Sequence, residues 1–223
     1  MKRIVFICFQ IFLLFQFCFA QPNGLIGKRT SKNESIEFTI GPGYCFGDQF
    51  MLPTKMPFAL GDNWDMSLGY RRMYSTNFGY KVTLQYGSYG GYDESTRCHD
   101  VGYLCFNSDV TSASLRGEYS YNLGQSSYDH LNLLSFYTFL GLGILNSNVT
   151  FAPSAYQGKS NTVAGTLPFG GGLKYHLNEN LSLGTEFNYQ YVFSDYVDGY
   201  SPAVVGNNDV LLGLSFTFEY QLF

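Results

Sequence analysis

The sequence predicts an all-β fold: an eight-stranded antiparallel up-and-down transmembrane β-barrel, with short turns at one end and long loops at the other. Three observations predict it. Apolar and polar residues alternate with a period of two in segment after segment, which is the side-chain period of a strand. The 223 residues include 21 Phe, 19 Tyr and 25 Gly but few charges, a balance suited to aromatic girdles rather than to a soluble core of Leu, Ile and Val. The connections between the alternating segments are by turns long and short.

Eight strands are expected in order. The first, Ser35 to Phe46, sets Ile36, Phe38, Ile40 and Tyr44 against Glu37, Thr39 and Gly41. The second, Asn63 to Arg72, sets Trp64, Met66, Leu68 and Tyr70 against Asp65, Ser67 and Arg71. The third runs from Phe78 to Tyr89, and the fourth from Ser112 to Leu123. The fifth, Leu131 to Asn146, is apolar on both parities between Leu133 and Leu145, so its faces stay unassigned. A buried helix is the alternative there, although Gly141 and Gly143 speak against it. The sixth, Leu167 to Leu177, the seventh, Leu181 to Phe193, and the eighth, Asp209 to Phe223, alternate clearly. Short turns fall at Met73 to Asn77, Gly124 to His130 and Asn178 to Asn180. Long connections span Gly47 to Asp62, Gly90 to Val110, Ser147 to Thr166 and Ser194 to Asn208. Short periplasmic turns and long extracellular loops are the layout of an outer-membrane barrel.

The width of the barrel decides which face meets lipid. Eight strands enclose an interior just wide enough for side chains, so several rings per strand would overfill it. The Tyr, Phe and Leu rows therefore point outward, and the polar rows point inward. Ten titratable residues take the inward parity: Glu37, Asp65, Arg71, Lys81, Arg116, Glu118, Lys174, His176, Glu186 and Glu219. Buried charges must pair, so the expected lumen is polar, salt-bridged and plugged. A small ion-conducting pore is the rival.

The ends suggest export. Lys2 and Arg3 precede a mostly apolar run from Ile4 to Phe19, with small residues at Cys18 and Ala20. That is a signal-peptide pattern with Gln21 as the expected mature N-terminus. A membrane anchor and a lipoprotein signal are the alternatives. The expected domains are a signal peptide at 1–20, a polar leader at 21–34 and the barrel at 35–223. The formal charge of −4 becomes more negative once Lys2 and Arg3 are removed, and there is no basic stripe, which argues against nucleic acid as a partner. Of the cysteines beyond the signal, Cys98 and Cys105 lie close enough to staple a loop by a disulfide, with Cys45 left over and buried. Three free thiols are the alternative. The spacing matches no zinc pattern, and no metal or cofactor is expected.

Two segments resemble a family. LPFGGGLKYHLNENLSLGTEFNYQYVFSDYVDGYS (167–201) is similar to the hairpin of small outer-membrane β-barrels related to OmpA and OmpX, and WDMSLGYRRMYSTNFGYKVTLQYGSYGGYDE (64–94) is similar to the second hairpin of a Bacteroidetes-type barrel family of unknown function. The resemblance spans the mature chain and implies the barrel, outer-membrane lipid as its surroundings and a Gram-negative outer membrane as its location. It also implies recognition by the outer-membrane assembly machinery through a terminal aromatic, here Phe223, which sits off the parity of Tyr220 and Leu222.

Catalytic readings are weaker. A lipid-A deacylase-like pattern would need more than His176-Leu177-Asn178, and His176 has inward parity. An omptin-like rim dyad would have to use His99-Asp100 with Asp195 and Asp198. His130 reads as a turn residue. The expectation is a structural or surface-interaction protein and not an enzyme, with long loops able to meet a surface partner. The alternatives are a small pore or hydrophobic-ligand channel, and a membrane-embedded hydrolase.

Overall fold

The computed structural model describes residues 33–46, 63–91, 105–123, 134–152, 161–178, 180–198 and 208–222. They form eight strands: β1 (Glu34–Phe46), β2 (Trp64–Met73), β3 (Phe78–Gly91), β4 (Cys105–Leu123), β5 (Leu134–Ala152), β6 (Asn161–His176), β7 (Leu181–Val192) and β8 (Val210–Gln221). Each pairs antiparallel with its neighbour in sequence, and β1 pairs with β8 from Ser35↔Gln221 to Phe46↔Val210, so the sheet closes. Closure leaves every strand paired on both sides over the shared span, which is what a membrane demands of a sheet. No helix among the described residues is long and apolar enough to cross a membrane.

The short turns follow from local chemistry. Asn178 accepts hydrogen bonds on Oδ1 from the backbone N–H groups of Asn180 and Leu181, both at 2.8 Å, an Asx turn that reverses the chain between β6 and β7. Between β2 and β3, Ser75 Oγ accepts from Phe78 N at 3.0 Å.

The pleat sends bulky residues out. Leu68, Leu84, Leu115, Leu140, Leu142 and Phe216 are all exposed, as an apolar band facing lipid must be. Rings flank the band. Tyr70, Tyr119, Tyr121, Tyr175 and Tyr220 lie toward the turn end. Toward the loop end Trp64 packs on Tyr86 at 5.6 Å and Phe169 on Tyr189 at 4.5 Å between centroids.

β5 is a strand, and its faces are now assigned. Ser135, Tyr137, Phe139, Leu145, Ser147 and Val149 are buried inward, while Phe136, Leu140, Leu142 and Ile144 point out. Periodicity could not separate them because Tyr137, Phe139 and Leu145 are apolar residues that face the lumen.

Three strands run well beyond their expected ends. β4 begins at Cys105, β5 continues to Ala152 and β6 begins at Asn161, so parts of two expected loops are sheet. The pattern changes hand there. Outward positions become polar at Asn107, Asp109, Thr111, Asn146, Asn148 and Thr150, although Val163 on β6 stays outward, while Phe106, Val110, Leu145, Val149 and Ala164 are buried inward beside Ser108, Ser147 and Thr162. Asp109↔Asn148 and Asn148↔Asn161 align across this extension.

Candidate functional site

The lumen at the membrane level is a layer of charge. Neighbouring strands put like charges side by side: Arg71↔Lys81↔Arg116 across β2, β3 and β4, and Glu37↔Glu219 across β1 and β8. Like charges directly opposite are destabilising within a sheet. The conflict is resolved by opposite charges from other strands, most of them two or more strands away. Arg71 Nε meets Glu118 at 2.6 Å, Glu118 meets Lys81 at 3.3 Å, and Lys81 meets Glu37 at 2.6 Å. Glu37 meets Lys174 at 2.5 Å, Lys174 meets Glu219 at 2.9 Å, and Glu219 returns to Arg71 at 3.0 Å. Six alternating charges from six strands thus close a ring. Glu186 joins it to Arg116, lying 2.9 Å from both Lys81 and Arg116. All eight side chains are at most 9 % exposed, a level at which an unpaired charge would be costly.

Neutral donors complete the layer. Tyr137 Oη donates to Glu186 at 2.8 Å, Ser35 Oγ donates to Glu219 at 2.5 Å, and Arg71 Nη2 donates to Ser120 Oγ at 2.7 Å. The contacts of Glu118 are ionic and lie outside hydrogen-bond directions. Lys174 Nζ sits 4.4 Å from the centroid of Tyr137, and the Arg116 guanidinium 4.7 Å from that of Phe139, both cation–π contacts. Those rings fit because β6 offers glycine beneath them: a Cβ on Gly172 would stand 2.7 Å from Tyr137 Oη, and one on Gly170 2.9 Å from Phe139.

Two predicted members stand apart from the ring. Asp65 is buried and accepts from Gln85 Nε2 at 3.1 Å and Ser215 Oγ at 3.2 Å, with no ion pair among the described residues. His176 lies at the turn end, where Nδ1 contacts Ser182 Oγ at 2.7 Å and Nε2 contacts Ser135 Oγ at 3.1 Å. Both serines are buried and no carboxylate among the described residues hydrogen-bonds the ring, so the arrangement satisfies a lumen histidine without an exposed nucleophile there.

Sequence reasoning missed the second layer. Toward the loop end Cys45, Tyr89, Val110, Leu145, Ala164, Val192, Val197 and Leu211 form one buried apolar cluster inside the barrel. Tyr89 crosses this space over Gly43, where a Cβ would come within 2.7 Å of its ring. Val197 belongs to the segment after β7 and is fully buried. It is held by its backbone N–H, which donates to Asp209 Oδ2 at 2.6 Å, while Asp209 N donates to Ser194 O at 3.0 Å. Burial, followed by the neighbouring charges of Asp198 and Asp195, raises the Asp209 carboxyl to about 8. Val110, Leu145, Val192 and Leu211 have inward parity next to polar neighbours, which was the only available signal. Cys98, His99, Asp100 and His130 lie outside the described residues, as does the Cys105 side chain; Cys45 is a buried free thiol. Among the described residues no group of three or more His, Cys, Asp or Glu could hold a metal ion.

A crystal structure of Neisserial surface protein A matches this closed sheet with a TM-score of 0.51 at 11% identity, covering 85% of this chain and 97% of that one. The fold is that of a small eight-stranded outer-membrane β-barrel. This barrel is also similar to the attachment invasion locus protein Ail of Yersinia pestis (TM-score 0.48, 13% identity, 84% and 97% covered). A major outer membrane protein of Thermus thermophilus gives 0.47 at 15% identity, with 83% and 99% covered. No family model matches the barrel's sequence, and no curated protein matches it. Identities this low concern the fold and leave the narrower Bacteroidetes-type resemblance without further support.

Proposed function

We propose that the protein is a non-conducting, non-catalytic outer-membrane barrel whose lumen is sealed and whose work is structural or done at its surface. The observation that carries this reading is the charge layer, a buried ring of ion pairs between nearby strands that Lys174–Glu37, Lys81–Glu186 and Arg116–Glu186 tie across the lumen. Ions entering would have to displace partners held at 2.5–3.3 Å in a space with little room for water. The apolar cluster seals the other end independently. On this reading the signal peptide is cleaved, the outer-membrane assembly machinery inserts the barrel, and the long loops carry any surface partner. Planar-bilayer recording tests it. The expected result is no steady conductance; a stable ohmic step from the purified folded barrel overturns the sealed lumen and favours a small pore.

A further inference from the structure

The extension of β4, β5 and β6 presents a lateral wall, and we infer that it binds the neutral sugar headgroup of an outer-leaflet glycolipid. The wall is the outward face at Asn107, Asp109, Thr111, Asn146, Asn148 and Thr150, bordered on β6 by Asn161 opposite Asn148 and by the exposed Val163 opposite Asn146. It continues the lipid-facing band upward on the same strands and the same parity, beginning directly after Ala113 and Ile144. Thr150 stands six residues beyond Ile144, which places it roughly 15 Å above the band for a tilted strand. That is the height of lipid headgroups, and the face looks sideways toward them.

The chemistry selects a neutral saccharide. Asn107 Oδ1 accepts from Ser88 Oγ at 3.0 Å and Thr150 Oγ1 donates to the Asn107 carbonyl at 3.2 Å, so the Asn107 amide N–H groups and the side chains of Thr111, Asn146 and Asn148 supply the donors and acceptors, which repeat at strand and interstrand spacing. The described cations lie in the lumen or, for Arg72, at the turn end, so nothing basic on this wall would attract phosphate. Asn and Asp are poor strand formers, yet they hold four of these six positions and Asn161 beside them. Solubility alone would be served by Thr, Lys or Glu at lower cost to the sheet. The inner side is solid, since Val110, Leu145 and Val149 are at most 2 % exposed, so the grid is held rigid before any ligand arrives.

This inference rests on the outer-membrane reading, and the test separates the two. The full barrel is reconstituted in nanodiscs holding equal amounts of lipid A and of lipid A bearing a neutral oligosaccharide, and retained lipids are counted by native mass spectrometry. Heat-dependent gel mobility of the same samples reports the folded barrel: a shift with no sugar preference sinks this inference alone, and no shift sinks the membrane reading. Wild type is expected to prefer the sugar-bearing lipid by about tenfold, the scale of a few net hydrogen bonds. N107T/N146T/N148T, which keeps polarity and favours the strand, is expected to lose that preference while keeping the shift. Equal retention of both lipids by wild type, or an undiminished preference in the variant, overturns the proposal. So does full displacement by free oligosaccharide, which would make the ligand a soluble glycan, or a dimer lost in the variant, which would make the wall an interface between copies.

Discussion

The two ends of the barrel obey opposite rules. At the membrane level charge is inside and rings are outside: Lys81 and Glu118 are at most 1 % exposed, while Leu115 is 54 % exposed. Above Ala113 and Ile144 the same strands shift toward the opposite arrangement: Val110 and Leu145 join small serines inside, and Asn146 and Asn148 lie outside. The backbone is continuous, so the inversion is written entirely in side chains. It tracks the solvent. Lipid tails offer no penalty to exposed Leu and no partner to a polar group, whereas water restores the ordinary rule of burial. The lower layer is specified by charge complementarity and the upper by packing, and the two should fail differently.

The largest effect is expected in the lower layer. Glu37→Gln strips a carboxylate from Lys81 and Lys174, and losing one partner of a buried network costs about 3–5 kcal/mol. Urea unfolding of the reconstituted barrel should show it, and E37M/K174M should recover much of the loss because it removes the stranded cation along with its partner. In the upper layer Leu145→Ala should cost about 2–4 kcal/mol by opening a cavity. The lipid-facing Leu142→Ala should cost clearly less in the same assay, since lipid fills the space; equal costs would abolish the distinction between the layers.

The pH dependence should sharpen the comparison. Asp209 titrates near 8 in the folded cap against an ordinary 3.8, so the cap favours its neutral form. The cap is firmest below the ordinary aspartate range, weakens as pH rises between those two values, and is level above 8. Each pKa unit corresponds to about 1.4 kcal/mol. Asp209→Asn keeps an acceptor for Val197 N–H and should flatten the midpoint of thermal unfolding between about pH 5 and about pH 9. A slope that survives in the variant would assign the titration to another group. The smallest effect should come from N146T/N148T on stability alone, within about 0.5 kcal/mol and in the stabilising direction.

Where lipid imposes a strict period of two, the sequence was readable. β1, β2, β7 and β8 and the inward parity of the charges followed from alternation and barrel width. The cross-lumen pairing did not, because parity names the residues in a layer but not the partner each one reaches. β5 stayed ambiguous since Tyr137 and Phe139 enter the lumen over Gly172 and Gly170, a fit that depends on register with another strand. The extensions of β4 to β6 resembled loops because their outward face had turned polar, and the apolar cap was hidden in the same reversal.

The ring also dictates how the molecule must be put together. Glu37 comes from the first strand and Glu219 from the last, and they lie directly opposite each other where β1 meets β8. Until that seam shuts, the triple row Arg71, Lys81 and Arg116 has too few counter-charges, and two carboxylates wait to be pressed together. Arg71 on β2 and Lys174 on β6 flank the seam and bridge its two carboxylates only when the sheet is closed. An incomplete sheet is therefore electrically unfinished, and the final strand locks the circuit in one step.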